Sequence, residues 1–342
     1  MLRVMLAIIM KIRIVTGVIP LLLFWGCGHG NPDRNPNVPV SQGSEVNGGA
    51  AFSFGLIGDL PYFPKEEAQL GHLIRELNRE PLVFVVHVGD IKRGGARCDD
   101  SVYVHRLKAF QASSHPFVLI PGDNDWTDCH RLSNGGFDPE ERLAFMRKVF
   151  FSSGNSLGQN PIQLVRQSEK SGYQEFVENV RWRIGPVLFI GLHVVGSNNN
   201  LGRTPKADEE YARRNQANRT WMRESFQMAR EGRYRGVAMF IHGNPFEPEP
   251  APSGTSGFDE FLQDLEFEAR KFGGPVVLFH GDTHYFRIDR PLPRSRDEPR
   301  LMSFTRVESF GSPNVQWVRG RVDPNNPNLF TFEPRVLSPS NQ

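Results

Sequence analysis

Short polar motifs carrying aspartate and histidine recur along this chain, each directly after an apolar run: Gly58-Asp59, Gly89-Asp90, Gly122-Asp123-Asn124-Asp125, His242-Gly243-Asn244 and His280-Gly281-Asp282-Thr283-His284. Carboxylates and imidazoles ligate divalent cations, and when gathered from scattered positions they can build a metal centre. The preceding runs are Phe52 to Ile57, Leu82 to Val88, Phe117 to Ile120, Val237 to Ile241 and Val276 to Phe279. They are rich in Val, Ile, Leu and Phe and short enough for buried strands. The motifs therefore fall at strand ends, along one sheet edge.

The elements that must hold those strands are legible from periodicity. Helical patterns run over Lys65 to Glu80, Val102 to Ala112, Pro139 to Phe151, Asp208 to Glu231 and Phe258 to Phe272. Val187 to Val195 is a further apolar run, and Leu301 to Val307 with Val315 to Val318 reads as a late strand pair around Gly311-Ser312-Pro313. Alternating strands and helices favour one α/β domain with two facing sheets. The tail beyond Val322 reads as loop. There is no internal repeat, no zinc-finger spacing, no Gly-x-x-x-x-Gly-Lys phosphate loop and no Gly-x-Ser-x-Gly nucleophile elbow.

The amino terminus reads as an export signal spanning residues 1–26. It carries Arg3, Lys11 and Arg13 of the chain's 40 basic side chains and none of its 38 acidic ones, then the apolar stretch Ile14 to Trp25. The remaining near-neutral body exerts no general pull on nucleic acid or anionic membrane. The segment stops at Gly26-Cys27 and resembles a bacterial lipoprotein signal with Cys27 as the acylated residue. Phe24 and Trp25 fit the usual small-residue positions poorly, so an ordinary cleaved signal or an uncleaved anchor is the alternative. Residues 27–50, rich in Gly, Pro, Asn and Ser, read as a flexible tether, and residues 51–342 as the folded body. Of three cysteines, Cys98 and Cys129 remain in the body. Export to a compartment where disulfides persist makes their pairing the expectation, with two buried free thiols the plain alternative.

The ordered motifs over Phe52 to Arg287 resemble the calcineurin-like metallophosphoesterase superfamily, whose pattern runs Asp-x-His, Gly-Asp, Gly-Asn-His, a strand-end His and Gly-His-x-His. The resemblance implies a four-layer αββα sandwich with two facing mixed β-sheets and metals at the carboxyl ends of the strands. Asp59 matches the first aspartate, Asp90 the metal-bridging aspartate, His242 the strand-end histidine and His284 the last histidine. A shared carboxylate is what two ions about 3.5 to 4 Å apart require.

Departures from that pattern are as informative. Pro61 stands where the first motif supplies a histidine and offers no ligand atom. Tyr62 follows it, but not at the position of the metal-binding tyrosine of purple acid phosphatases. In the third motif, Asp123 takes the asparagine ligand's place and Asn124 that of the catalytic histidine. A shift by one residue instead makes Asn124 the ligand and Asp125 the histidine substitute. Asparagine delivers no proton, so the first alignment needs another acid, Asp125, His130 or water. Asp282 replaces the first histidine of the last motif. The implied metal ligands are thus Asp59, Asp90, Asp123, Asn124, His242, Asp282 and His284, with Asn124, Asp125 and His130 as catalytic candidates. This oxygen-rich set favours one or two ions of Mn, Fe or Mg over Zn.

Each residue also has a bland reading. An aspartate after glycine at a strand end commonly makes a turn or caps a helix. His87 reads as a core or supporting residue, and His193 either as core or as facing the site. The segment Trp126 to Arg131 offers an aromatic platform, an acid and a cation, while Asn198-Asn199-Asn200 is a polar turn. Arg166, Arg181, Arg183, Arg203, Arg213, Arg214 and Arg219 are phosphate partners or solvated helix residues.

The resemblance implies hydrolysis of phosphate esters by metal-activated water, and the amino-terminal segment sets the expectation of a cell-envelope location, periplasmic or extracellular, with membrane attachment through the lipid anchor and a phosphorylated small molecule or envelope component as substrate. The alternative is a catalytically weakened envelope protein that binds metal or recognises a ligand. Oligomeric state and substrate are open at this stage.

Overall fold

The computed structural model describes residues 49–247, 254–294 and 297–337. The expected signal (1–26), the acylated Cys27 and nearly all of the tether lie outside the described residues. None of the described helices is long and apolar enough to cross a membrane.

Two mixed sheets face each other. The first has order β12-β11-β1-β2-β3, formed by β1 (Phe52–Ile57), β2 (Leu82–His87), β3 (Phe117–Leu119), β11 (Trp317–Val322) and β12 (Phe330–Arg335). The second has order β4-β5-β6-β7-β8-β10-β9, formed by β4 (Val165–Arg166), β5 (Val180–Ile184), β6 (Val187–Gly191), β7 (Gly236–Phe240), β8 (Val276–His280), β9 (Arg287–Asp289) and β10 (Phe304–Glu308). The strands β1, β2 and β3 run parallel, as do β6, β7, β8 and β10. Their carboxyl ends therefore carry the motif loops.

Period-two alternation explains the layers. In β1, Phe54 and Leu56 enter the inter-sheet core, whereas Ile57 turns toward the helices outside; in β8, Val277 and Phe279 point inward and Val276 and Leu278 outward. The inner layer is aromatic: Phe54 stacks on Phe84 at 5.0 Å and Phe240 on Phe279 at 4.8 Å. Such pairs add about 0.5–1.5 kcal/mol beyond their area burial. Helices α1 (Pro64–Leu77), α2 (Asp100–Gln111) and α3 (Pro139–Phe150) cover the first sheet, while α5 (Pro205–Glu231) and α6 (Asp259–Phe272) cover the second. Between β6 and α5 lies a single turn, α4 (Gly196–Asn199). The result is the four-layer αββα arrangement.

Three sequence expectations require correction. The tail beyond Val322 is not loop alone, since β12 pairs antiparallel with β11 from Val322↔Phe330 to Trp317↔Arg335. The runs around Gly311-Ser312-Pro313 do not pair with each other: β10 joins β8 and β9 in one sheet, and β11 joins β1 in the other. Their connection crosses between sheets at the motif edge. Finally, β5, with sequence Val-Arg-Trp-Arg-Ile, hides a buried strand behind two arginines that had suggested phosphate contact; it pairs with β6 throughout.

Candidate metal centre

Three of the five motif loops turn sharply as they leave their strands. Asp59, Asp90, Asp282 and His284 hold φ of +55°, +59°, +81° and +63°, a left-handed backbone that side-chain-bearing residues adopt rarely and that concentrates at functional sites. These bends aim the side chains toward one point. Gly122 shows how tight the approach is: a β-carbon there would stand 2.2 Å from Asp90 Oδ1.

Six of the expected ligands converge. Asp59, Asp90 and His242 each place a donor atom within 4.8 Å of one another, and so do Asp123, His242 and Asp282. His284 joins the first group from its side, with Nε2 3.5 Å from Asp59 Oδ1. His242 Nε2 lies 3.0 Å from Asp123 Oδ1, 3.3 Å from Asp90 Oδ1 and 3.8 Å from Asp282 Oδ1. Its Nδ1 is 2.7 Å from the Val88 carbonyl, so a proton on Nδ1 leaves the Nε2 lone pair facing the carboxylates. One nitrogen serves one ion. Asp90, with two oxygens, remains the group able to span two.

The three residues of the third motif turn three different ways. Asp123 stands with His242 and Asp282, whereas Asn124 turns to Asp90: its backbone N–H donates to Asp90 Oδ1 at 3.0 Å and its side-chain amide to Asp90 Oδ2. Asp125 has a different task. Fully buried, its carboxylate accepts the backbone N–H groups of Asp90, Ile91 and Gly122 and so splints the two loops together. His130 is exposed, with Nδ1 2.7 Å from the Thr127 carbonyl.

Other candidates fall away from the centre. Trp126 is buried and donates its indole N–H to His193 Nε2 at 3.0 Å, while His193 Nδ1 meets Glu178 at 2.7 Å. Neither the aromatic platform nor a site-facing His193 is present. His87 braces loops: its Nδ1 accepts the Gly89 N–H and its Nε2 lies 3.1 Å from the Leu60 carbonyl. Arg214 is buried against Glu210, and Arg219 pairs with Glu260 and Asp264.

Several contributors carried no readable signal. Tyr62 donates its hydroxyl to Asp90 Oδ2 at 2.8 Å and packs edge-on against His284 at 5.2 Å; its only cue was adjacency to Pro61. Ser312, on the inter-sheet crossing, binds the Asp59 carbonyl through its N–H and lies 2.8 Å from His284 Nδ1 through its carbonyl. Lys92 is buried behind Asp90, its ammonium on the Ala96 carbonyl at 3.0 Å. Glu308 accepts the Thr283 hydroxyl and the Tyr285 N–H, fixing the loop that carries His284.

The electrostatics test whether this cluster suits a cation. Burial pushes the Asp90 carboxyl well above the carboxylate range against the relief from His242, and neighbouring Asp123, Asp125 and Asp59 push it further. Burial, then Asp123, raises Asp282 to about 7. The carboxylates in turn hold His242 well above an ordinary imidazole despite its burial. Crowded acids of this kind need either protons or a multivalent cation, and the donor set fits divalent metal.

A calcineurin-like phosphoesterase family profile matches residues 52–286. The chain belongs to the calcineurin-like phosphoesterase family. This phosphoesterase is similar in fold to a dimetal phosphatase from Danio rerio, at 13% identity, TM-score 0.54, covering 84% of this chain and 96% of that one. It is also similar to PhoD, at 13% identity, TM-score 0.56, covering 87% of this chain and 68% of that one. At such identities the likeness is one of fold. No curated protein matches the chain in sequence. Membership makes the chain a metal-dependent phosphoester hydrolase in general terms.

Proposed function

We propose that this phosphoesterase hydrolyses a phosphorylated small molecule or envelope component at the cell envelope, using one or two divalent ions held by Asp59, Asp90, Asp123, His242, Asp282 and His284. The observation that carries the reading is the convergence of two donor groups on His242, with Asp90 of the first group 3.3 Å from its Nε2. When bound, such ions polarise phosphoryl oxygens and lower the pKa of a water nucleophile. Four carboxylates against two imidazoles favour Mn, Fe or Mg over Zn.

The chain's own groups supply orientation and charge. Asn124 and Tyr62 hold the two oxygens of Asp90 in fixed directions. Asp125 keeps the Asp90 and Gly122 loops in register. Arg131, paired with Asp128 at 2.8 Å and flanking Gly94 together with the Asn124 side chain, offers a cation for an anionic ester. Asn124 holds no transferable proton, so protonation of the leaving group falls to solvent or to a neighbouring acid.

Turnover of a panel of phosphate monoesters and diesters by metal-loaded wild type and by Asp90→Asn tests the proposal. Metal-dependent turnover that collapses in Asp90→Asn is expected. Pro61 and Asn124, which replace two histidines of the family pattern, favour a second reading as a metal-binding recognition protein. Wild type that binds metal and turns over no ester would select it.

The location rests on the sequence: the basic and apolar segments end at Cys27, and the disulfide between Cys98 and Cys129 suits an oxidising compartment. Intact-mass measurement of protein from its native membrane should show an acylated Cys27 at the mature terminus; a mature chain starting elsewhere without lipid would remove the anchor from the proposal.

A further inference from the structure

Ser197, Asn198, Asn199 and Asn200 hold φ of +50°, +51°, +53° and +67° in succession. Four consecutive left-handed residues without a glycine are disfavoured at every step, because each side chain crowds the following carbonyl. Strain of this kind persists only where the surroundings over-determine it. Here they do. The fully buried Arg214 donates to the Asn199 side-chain oxygen at 2.6 Å and its carbonyl at 3.0 Å, and is itself clamped by Glu210 at 2.7 Å. Asn198 accepts the Gly257 N–H at 2.8 Å and donates to the Thr255 carbonyl at 3.2 Å; Asn200 donates to Glu210 at 2.8 Å. An ordinary polar turn needs no buried guanidinium beneath it.

The turn delivers two things to the carboxylates. A β-carbon on Gly196 would stand 2.6 Å from both Asp123 Oδ1 and Asp282 Oδ1, so the bare backbone walls the cluster there. Ser197 Oγ donates to Asp123 Oδ2 at 2.7 Å and lies 3.4 Å from Asp128 Oδ1. With Oδ2 fixed, Asp123 Oδ1 stays turned to His242 at 3.0 Å. We propose that Ser197 is a positioning residue for the ion held by Asp123, His242 and Asp282, and that the strained turn and its Arg214 brace exist to keep its hydroxyl on Asp123. The inference rests on the reading of the cluster as a divalent-metal centre. Outer-shell partners of ligating carboxylates fix ligand direction, and their loss typically costs about 10- to 100-fold in metal affinity.

The test is a calorimetric Co(II) titration of the full chain, with the visible Co(II) spectrum followed in parallel, for wild type, Ser197→Ala, Ser197→Gly, Asp123→Asn and the Ser197→Ala/Asp123→Asn pair. Glycine is at ease at φ +50° and guards against a variant that fails to fold. Both Ser197 variants should weaken one Co(II) event by about 10- to 100-fold and change its spectrum, leaving the other event and the far-UV circular dichroism unaltered. In the Asp123→Asn background, adding Ser197→Ala should change little, because the charged ligand that Ser197 orients is already lost. Wild-type Co(II) affinity and spectrum in both Ser197 variants, or in Ser197→Gly alone, would overturn the inference while leaving the metal centre standing. Wild type that binds no Co(II) would overturn the metal centre and this inference together.

Discussion

Asp125 Oδ2 accepts the backbone N–H of Asp90 at 3.1 Å, and the same oxygen accepts that of Gly122 at 2.8 Å while Oδ1 takes Ile91 at 2.8 Å. A carboxylate engaged by three main-chain donors acts as a splint between the second and third motif loops. Asn in its place turns one acceptor into a donor facing N–H groups. Hydrogen bonds to a charged group contribute about 1.5–3 kcal/mol, so Asp125→Asn should lose at least about 2 kcal/mol in urea denaturation. Metal affinity should fall with it, since Asp90 loses its direction. Unchanged stability and unchanged metal content would refute the splint.

Ligand substitutions should separate the two groups. Asp59 and His284 serve the first, Asp123 and Asp282 the second, and Pro61 adds nothing to the first. Metal titration should therefore show two unequal events, the weaker one lost in Asp59→Asn. Asp90→Asn should impair both by more than the about 10- to 100-fold typical of an outer-shell partner. Replacing Asp282 with His adds a nitrogen donor, and competition between Mn and Zn should shift toward Zn. Equal occupancy across Asp90→Asn and Asp282→His would contradict the assignment.

Burial lowers the His87 imidazole to about 4 against weaker raising effects from the Leu60 carbonyl and Asp59. Its folded-state pKa lies below the ordinary value near 6.5, so between those two pH values the unfolded chain binds the extra proton. The contribution of neutral His87 to stability is therefore complete above about pH 6.5 and declines as pH falls toward about 4. His87→Gln retains a donor and an acceptor but does not titrate. It should be less stable than wild type at pH 7.5, and the gap should narrow on acidification from pH 6.5 to 4.5. Comparing the two proteins cancels the opposite-signed titration of Asp282 and the other crowded acids. A gap independent of pH would show that folding leaves the His87 pKa unshifted.

Much of this site is readable because strand ends enforce it. Asp59, Asp90, His242 and Asp282 each follow a nearly continuous apolar run, and parallel strands in facing sheets deliver those ends to one edge. The third motif resisted because Asp123, Asn124 and Asp125 are adjacent and each turns elsewhere, to His242, Asp90 and the main chain respectively. The roles of Tyr62 and Ser312 stayed hidden because they depend on loops from distant elements meeting, which no local spacing encodes. The inter-sheet crossing at Gly311-Ser312-Pro313 mimicked a hairpin because two apolar runs flank a turn-forming triplet; only the pairing of β11 with β1 separates them. In β12, Pro334 and two charged residues obscure an edge strand, the position where proline is tolerated.

Cys98 and Cys129 are joined by a disulfide that closes a span of 31 residues. The bridge ties the loop following Asp90 to the turn following Asp125, and Cys129 Sγ lies 3.8 Å from the Asp125 carbonyl, which also accepts the Tyr103 hydroxyl at 2.7 Å. Its loss thus acts twice. Releasing a loop of this size from the unfolded chain costs about 3–4 kcal/mol of stability in the chain-entropy account, and the Asp125 splint loses part of its backing. The Cys98→Ser/Cys129→Ser protein should lose that much unfolding free energy in urea denaturation and bind metal more weakly, whereas a reductant should have no effect on the double variant. Wild type treated with reductant under native conditions should move toward the variant's metal affinity as the bridge opens. Loss of stability with metal affinity unaltered would confine the disulfide to the fold and detach it from the centre.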